Sequence, residues 1–421
     1  MTDTPWVGEQ NPDDVLARFG RHVNPGLARV FRFMGMDAVE ATGQGAELVD
    51  ESGRRYVDCA GGYGVFIHGY RHPRIVAAAE RQLRRLPMSS RVLLNRQQVE
   101  LAEALSQWTP GDLQYSFFCN SGTEAVEGAL KFARAATGRA RFVTTEGAFH
   151  GKTLGALSVS GRDMYQDPFR PLLPDVVRVP YGQLEAVEAV IDENTAAVVL
   201  EPIQGEGGVI VPPDGYLTGV RQLCDRVGAL FIADEVQTGM GRTGRLFAVE
   251  HEGVVPDLLC LAKALGGGIV PVGAVVGRPS AWGFFETAPL IHTSTFGGNP
   301  LAMAVALESL QVVIDEDLPG QAHDKGKWLL TVLRSLAAEY PDLIREVRGR
   351  GLMIGIETTS AGVGGALIQQ LFERAVLAVY TLNNDRVIRM IPPLVIQETQ
   401  LEQVMEAMES ALAAIRAMGL E

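Results

Sequence analysis

The strongest constraint on this fold is a rhythm that begins near residue 98. Short apolar runs alternate there with stretches of helical periodicity. The runs are Tyr115–Cys119, Phe142–Thr144, Val176–Val179, Ala196–Leu200, Leu230–Ala233, Leu258–Leu261 and Val272–Val276. They lack the regular apolar–polar alternation of strands with one wet face, so they read as strands buried on both faces. The helical stretches between them cover residues 98–107, 122–136, 183–191 and 215–227. This order predicts an α/β fold whose large domain holds a mostly parallel seven-stranded sheet. Residues 299–314 read as a long helix leading out of it.

A chain of 421 residues is too long for one core, and two or three domains are expected. The large domain is placed at 61–315. Residues 1–60 form an N-terminal arm and part of a smaller domain, which residues 316–421 complete. The first 25 residues are polar, carry Pro5, Pro12 and Pro25, and read as a loose arm. Ala38–Asp50 and Arg55–Asp58 flank Glu51-Ser52-Gly53, a hairpin signal. Residues 74–86 have helical periodicity after a proline. The C-terminal part reads as α+β: helices over 321–339 and 398–417, with strand-like Met353–Glu357 and Val387–Ile391 between them.

Charge narrows the partners. Lys+Arg 37 against Asp+Glu 50 gives −13, which repels nucleic acid and anionic membranes on average. No run of 18 apolar residues and no N-terminal apolar signal segment is present, so a cytoplasmic location is expected. Cys59, Cys119, Cys224 and Cys260 are scattered without ligand spacing, so neither zinc nor a disulfide framework is expected.

In parallel sheets, ligands bind at the carboxyl ends of the strands, and polar, glycine-rich clusters fall there in five places. Asn120-Ser121-Gly122-Thr123 joins a strand to a helix start, a phosphate cradle or an ordinary N-cap. Asp234 ends the apolar run 230–233, where a carboxylate needs a cationic partner. A protonated pyridinium nitrogen is one such partner. Lys263 sits between an apolar strand and Gly266-Gly267-Gly268, in a chain with only five lysines. Desolvation there makes an amine nucleophilic and able to form a Schiff base, although a snorkelling lysine fits too. Phe149 and His150 could stack on and support a flat ring. Thr295, before Gly297-Gly298, is a further phosphate donor or a loop residue.

Together these motifs become specific. Lys263 follows Asp234 by 29 positions, after Ser121-Gly122-Thr123-Glu124 and Glu201-Pro202-Ile203-Gln204-Gly205-Glu206-Gly207-Gly208. Gly61-Gly62-Tyr63-Gly64, Arg348-Gly349-Arg350-Gly351 and Arg389-Met390-Ile391-Pro392-Pro393-Leu394 flank them. The set resembles the class III aminotransferases of fold type I, which depend on pyridoxal 5′-phosphate (PLP). Within that family Phe149–Ser158, Cys260–Gly268 and Thr381-Leu382-Asn383-Asn384 look most like diamine (putrescine) aminotransferases.

The resemblance implies roles. Lys263 holds PLP as a Schiff base and shuttles a proton. Asp234 keeps the ring nitrogen protonated. Val236 and Phe149 sandwich the ring, with His150 in support, Gln237 approaches its phenolic oxygen, and Ser121, Gly122 and Thr123 bind the phosphate. Thr295 comes from a neighbouring subunit, which implies a homodimer with shared sites, or a tetramer of such dimers. Glu206 and Arg389 resemble a switch: the glutamate covers the arginine for an amine donor and uncovers it for a 2-oxo acid. Tyr63, Phe66 and Lys152 are placed on the substrate wall, with Trp282 as a further wall candidate. Ornithine, acetylornithine and 4-aminobutyrate aminotransferases carry an arginine fork where this chain has Lys152, a point charge. The departure fits a diamine such as putrescine or cadaverine, with 2-oxoglutarate or pyruvate as acceptor. The alternatives are an ornithine-type donor, or an aminomutase or racemase of the same fold.

Overall fold

The structure is a computed structural model, and it describes residues 12–419. Three short strands come first: β1 (Glu40–Gln44), β2 (Glu47–Asp50) and β3 (Arg55–Asp58). Asp50 Oδ1 accepts the N–H groups of Ser52 (2.9 Å) and Arg54 (3.0 Å), closing the β2–β3 turn as an Asx motif. The expected hairpin is therefore present. Its first arm is split by a second turn at Gly45, where φ is 57°.

The central sheet contains β4 (Tyr115–Cys119), β5 (Arg141–Thr145), β6 (Val176–Val179), β7 (Thr195–Leu200), β8 (Leu230–Asp234), β9 (Leu258–Leu261) and β10 (Gly273–Gly277). Their order is β4-β10-β9-β8-β7-β5-β6, parallel throughout except for β10, which is antiparallel to both neighbours. Every residue of β7 and β9 is buried, because helices cover both faces; that is why those segments lack alternation.

The C-terminal part adds β11 (Ile344–Arg350), β12 (Met353–Thr358), β13 (Val376–Leu377), β14 (Val379–Thr381) and β15 (Asn384–Met390). Four of these form an antiparallel sheet in the order β11-β12-β15-β14. The fifth, β13, pairs in parallel with β3, so the two ends of the chain share one sheet.

The loose arm needs correction. Pro12–His22 and Pro25–Met34 are helices. Each begins on its proline, which suits the first helical position because its missing N–H has no intrahelical partner there. The part of the arm before residue 12 lies outside the described residues. A helix over Ala361–Glu373 also went unread, since its three glycines mask the periodicity; the Ser360 hydroxyl caps it by accepting the Val363 N–H (3.2 Å). All four cysteines are free and buried. Among the described residues, no helix is long and apolar enough to cross a membrane.

Candidate active site

The carboxyl ends of the parallel strands surround a cavity of about 590 Å³. Ser121, Gly122, Thr123, Phe149, His150, Lys152, Glu206, Asp234, Val236, Gln237 and Lys263 all line it. Segments far apart in the chain meet here because strand order differs from chain order.

The helix Gly122–Thr137 starts in the cavity wall. Ser121 caps it in a reciprocal arrangement: its hydroxyl accepts the Glu124 N–H (3.3 Å) and donates to the Glu124 carboxylate (3.2 Å). The N–H groups of Gly122 and Thr123 have no carbonyl one turn back, so they remain available for an anion. A side chain at Gly122 would put its Cβ 2.8 Å from Val236 Cγ1. Glycine is needed there if Val236 is to remain a cavity wall.

Asp234 ends β8 and is buried. Its Oδ2 lies 2.7 Å from His150 Nδ1, and its Oδ1 accepts the Val236 N–H (3.1 Å). Burial pushes the His150 pKa down, but the bond to Asp234 outweighs it and holds the pKa above its ordinary value. His150 Nε2 has no partner. Glu201 comes directly after β7, at the same end of the sheet as Asp234, and it too lines the cavity. Burial raises its pKa to about 7. Its two oxygens accept the N–H groups of Phe149 (2.9 Å) and Gly205 (3.1 Å), tying two wall loops together. The sequence signal for Glu201, a carboxylate directly after an apolar run, was the same one that singled out Asp234.

Lys263 follows β9 with a left-handed φ of 45°. Burial in the cavity wall lowers its pKa to about 8, against the attraction of Glu206. The Glu206 carboxylate pairs with Arg389 Nη1 and accepts the Leu382 N–H (2.9 Å). Burial pushes the Glu206 pKa up, and Arg389 and the Leu382 N–H outweigh it, so the carboxylate is held below its ordinary range. Arg389 is fully buried on β15, and its Nε and Nη2 have no partner. Removing either member of such a buried pair typically costs about 3–5 kcal/mol. Gln237 bridges outward: its Oε1 accepts from Arg389 (3.3 Å), and its Nε2 donates to the Tyr63 carbonyl (3.3 Å).

The remaining expected site residues are distributed differently. Tyr63 lies half exposed, and the Arg389 guanidinium sits 5.4 Å from its ring centroid. Phe66 is not on the cavity wall. It packs on Tyr70 at 4.0 Å and fills the space behind Gly268. Trp282 stacks on Tyr115, packs against Phe132 and Phe285, and does not line the cavity. Lys152 is exposed, with its ammonium 4.3 Å from the Tyr165 ring centroid. Thr295 is exposed and outside this chain's cavity. Apolar wall positions such as Val65 and Ile269–Val272 went unread, because nothing chemical marks them.

This donor set fits PLP. A helix start would offer free N–H groups to its phosphate, a buried carboxylate would suit a protonated ring nitrogen, and a desolvated amine would suit its aldehyde. Known proteins agree. The family model for class III aminotransferases matches residues 34–412. The ornithine aminotransferase of Toxoplasma gondii ME49 is 34% identical, with a TM-score of 0.91 over 97% of this chain and 96% of that one. The acetylornithine aminotransferase of Elizabethkingia anophelis is 33% identical, with a TM-score of 0.83 over 96% and 100%. An (S)-enantioselective omega-transaminase of Thermomicrobium roseum is 30% identical, with a TM-score of 0.88 over 96% and 99%. The chain therefore belongs to the class III aminotransferase family and is a PLP-dependent aminotransferase.

Proposed function

We propose that this aminotransferase takes its amino group from a primary amine with no carboxylate for Lys152 to grip, a diamine such as putrescine or cadaverine. The acceptor is a 2-oxo acid, 2-oxoglutarate or pyruvate. The observation that carries this reading is Lys152 itself: an exposed point charge engaged by the Tyr165 ring rather than an arginine fork. Glu206 also neutralises Arg389, so a donor need bring no carboxylate to balance that charge.

Bound in the cavity, PLP supplies an electron sink that lets a proton leave the carbon beside the donor nitrogen. Lys263 holds the aldehyde and then moves that proton. Asp234, oriented by His150, pairs with the ring nitrogen proton. Phe149 and Val236 would flank the ring, Gln237 would face its oxygen, and Ser121, Gly122 and Thr123 would hold the phosphate. Glu206 covers Arg389 during the amine half-reaction and releases it for the oxo acid carboxylate.

The chain divides into a cofactor-bearing body over 61–315 and a smaller body from 1–60 and 316–421, consistent with the β3–β13 pairing. The working unit is a homodimer. Exposed Val92, Leu93, Leu94, Leu290 and Phe296 lie on two segments joined by the Asn95 amide donating to the Gly298 carbonyl (2.6 Å). Such an apolar surface fits a second copy of the chain, with Thr295 at its edge reaching the partner's cavity.

An ornithine-type donor is the second reading, favoured by the 34% and 33% identities to ornithine and acetylornithine aminotransferases. The likeness to diamine enzymes rests on sequence motifs alone. The visible spectrum of the holoenzyme separates the two. Putrescine is expected to bleach the bound-cofactor band, and 2-oxoglutarate or pyruvate to restore it. Lys152→Arg is expected to raise kcat/KM for ornithine relative to putrescine by about tenfold, through the bidentate grip. Bleaching by ornithine or 4-aminobutyrate but not by putrescine would refute the diamine assignment.

The lysine predicts a pH dependence. Its neutral form is the nucleophile, and a pKa lowered to about 8 means that this form is the minority below pH 8. PLP uptake by the cofactor-free protein is expected to speed up about tenfold per pH unit from 6 to 8, then level off. A stopped-flow rate that keeps climbing past pH 9 would mean that Lys263 titrates like an exposed lysine.

A further inference from the structure

We propose that the Leu382-Asn383 turn between β14 and β15 is the latch that holds the Glu206–Arg389 switch closed, and that Tyr165 and Arg162 set how firmly it holds. The inference rests on the switch reading above. It concerns a motif, Thr381-Leu382-Asn383-Asn384, for which that reading has no use.

Glu206 is held from both sides. One carboxylate oxygen meets Arg389, and the other accepts the Leu382 N–H (2.9 Å). The next N–H along, from Asn383, donates to the Glu206 backbone carbonyl (3.0 Å). Two consecutive amides of one turn thus grip one residue, side chain and main chain together. Opening the switch must therefore break a bond to the turn as well as the ion pair. A buried N–H left without its acceptor is costly, so the turn favours the closed state.

The turn is itself anchored. The Leu382 carbonyl accepts the Tyr165 hydroxyl (3.0 Å) and Arg162 Nη1. The Asn383 side-chain amide donates to the Gly147 carbonyl (2.8 Å), two residues before Phe149. Within the turn, the Thr381 hydroxyl donates to the Asn384 carbonyl (2.7 Å). The Tyr165 ring is in turn packed by the Lys152 ammonium at 4.3 Å and the Arg162 guanidinium at 5.4 Å. A continuous chain of contacts runs from the cation at the cavity mouth to the buried arginine: Lys152, Tyr165, Leu382, Glu206, Arg389.

Tyr165 and Arg162 are positioning residues in this scheme. Neither lines the cavity, and both act through the Leu382 carbonyl. A looser turn favours the open switch, which exposes Arg389 to carboxylates.

The test is calorimetric titration of the holoenzyme with glutarate, a dicarboxylate with no oxo group to react. Tyr165→Phe keeps the ring and removes one donor to the turn. It is expected to tighten glutarate binding about fivefold, the worth of one hydrogen bond. Arg162→Gln, removing the other donor, is expected to act in the same direction. Glu206→Gln is expected to tighten binding by more, and adding Tyr165→Phe to it should change nothing further. A merely structural role would weaken binding or leave it alone. If Glu206→Gln tightens glutarate binding while Tyr165→Phe does not, the latch is wrong and the switch stands. Equal tightening by Tyr165→Phe with and without Glu206 also sinks the latch. If Glu206→Gln itself has no effect, the switch reading fails and takes the latch with it.

Discussion

Lys263→Ala is expected to lower turnover by about 10³-fold or more if, as proposed, one side chain both holds the cofactor and moves the proton; general acid–base transfer alone contributes about 10²–10⁴. The structure gives the lysine what both tasks require. It stands at the carboxyl end of β9 in the cavity wall, and desolvation lowers its pKa to about 8. Its positive φ of 45° strains a residue that has a side chain, and such strain is most often found at functional sites. Two measurements check the prediction. Borohydride treatment should add the mass of the cofactor to the wild-type chain and not to the variant. A small external amine should restore part of the half-reaction in the variant. Turnover within about tenfold of wild type would remove Lys263 from the chemistry.

Asp234→Asn is expected to cost about 10²–10³-fold in kcat, with a much smaller change in the amount of cofactor bound. The carboxylate supplies charge, which an amide of the same shape does not. Its burial and its 2.7 Å contact with His150 make that charge strong and fixed. The helix start at Gly122 is untouched by the substitution, so the phosphate should still anchor. The check is a split: single-turnover rates fall steeply, while equilibrium PLP binding shifts by about tenfold or less. A parallel loss of both would mean that Asp234 serves binding and not the electronics of the ring.

The central sheet was largely legible in the sequence. Every strand falls within one residue of the apolar run that marks it; β7 and β9 are buried on both faces and can tolerate little else, whereas the edge strands β4 and β6 are only partly buried. Asn120-Ser121-Gly122-Thr123, Asp234 and Lys263 were legible as polar breaks at the ends of apolar runs, and all of them line the cavity. The helix over Ala361–Glu373 was hidden by its glycines, and the pairing of β13 with β3 joins segments about 320 residues apart that carry no mutual signal. Phe66 could be read either as a wall residue or as packing, and in the structure its ring packs behind Gly268.

What the sequence by itself determined is the chemistry: which side chains are too costly at strand ends to stand there without a partner, and hence a cradle, a carboxylate and an amine. Tertiary structure alone decided which of them meet. The sheet order β4-β10-β9-β8-β7-β5-β6 is a long-range arrangement, and it brings four of the five clusters, all but the one at Thr295, around one cavity. It also decided the partners of individual atoms: the Tyr165 hydroxyl on the Leu382 carbonyl, and the Leu382 N–H on the Glu206 carboxylate. Those contacts follow from packing geometry summed over the whole chain, and no local pattern of residues encodes a distance between groups more than 150 positions apart.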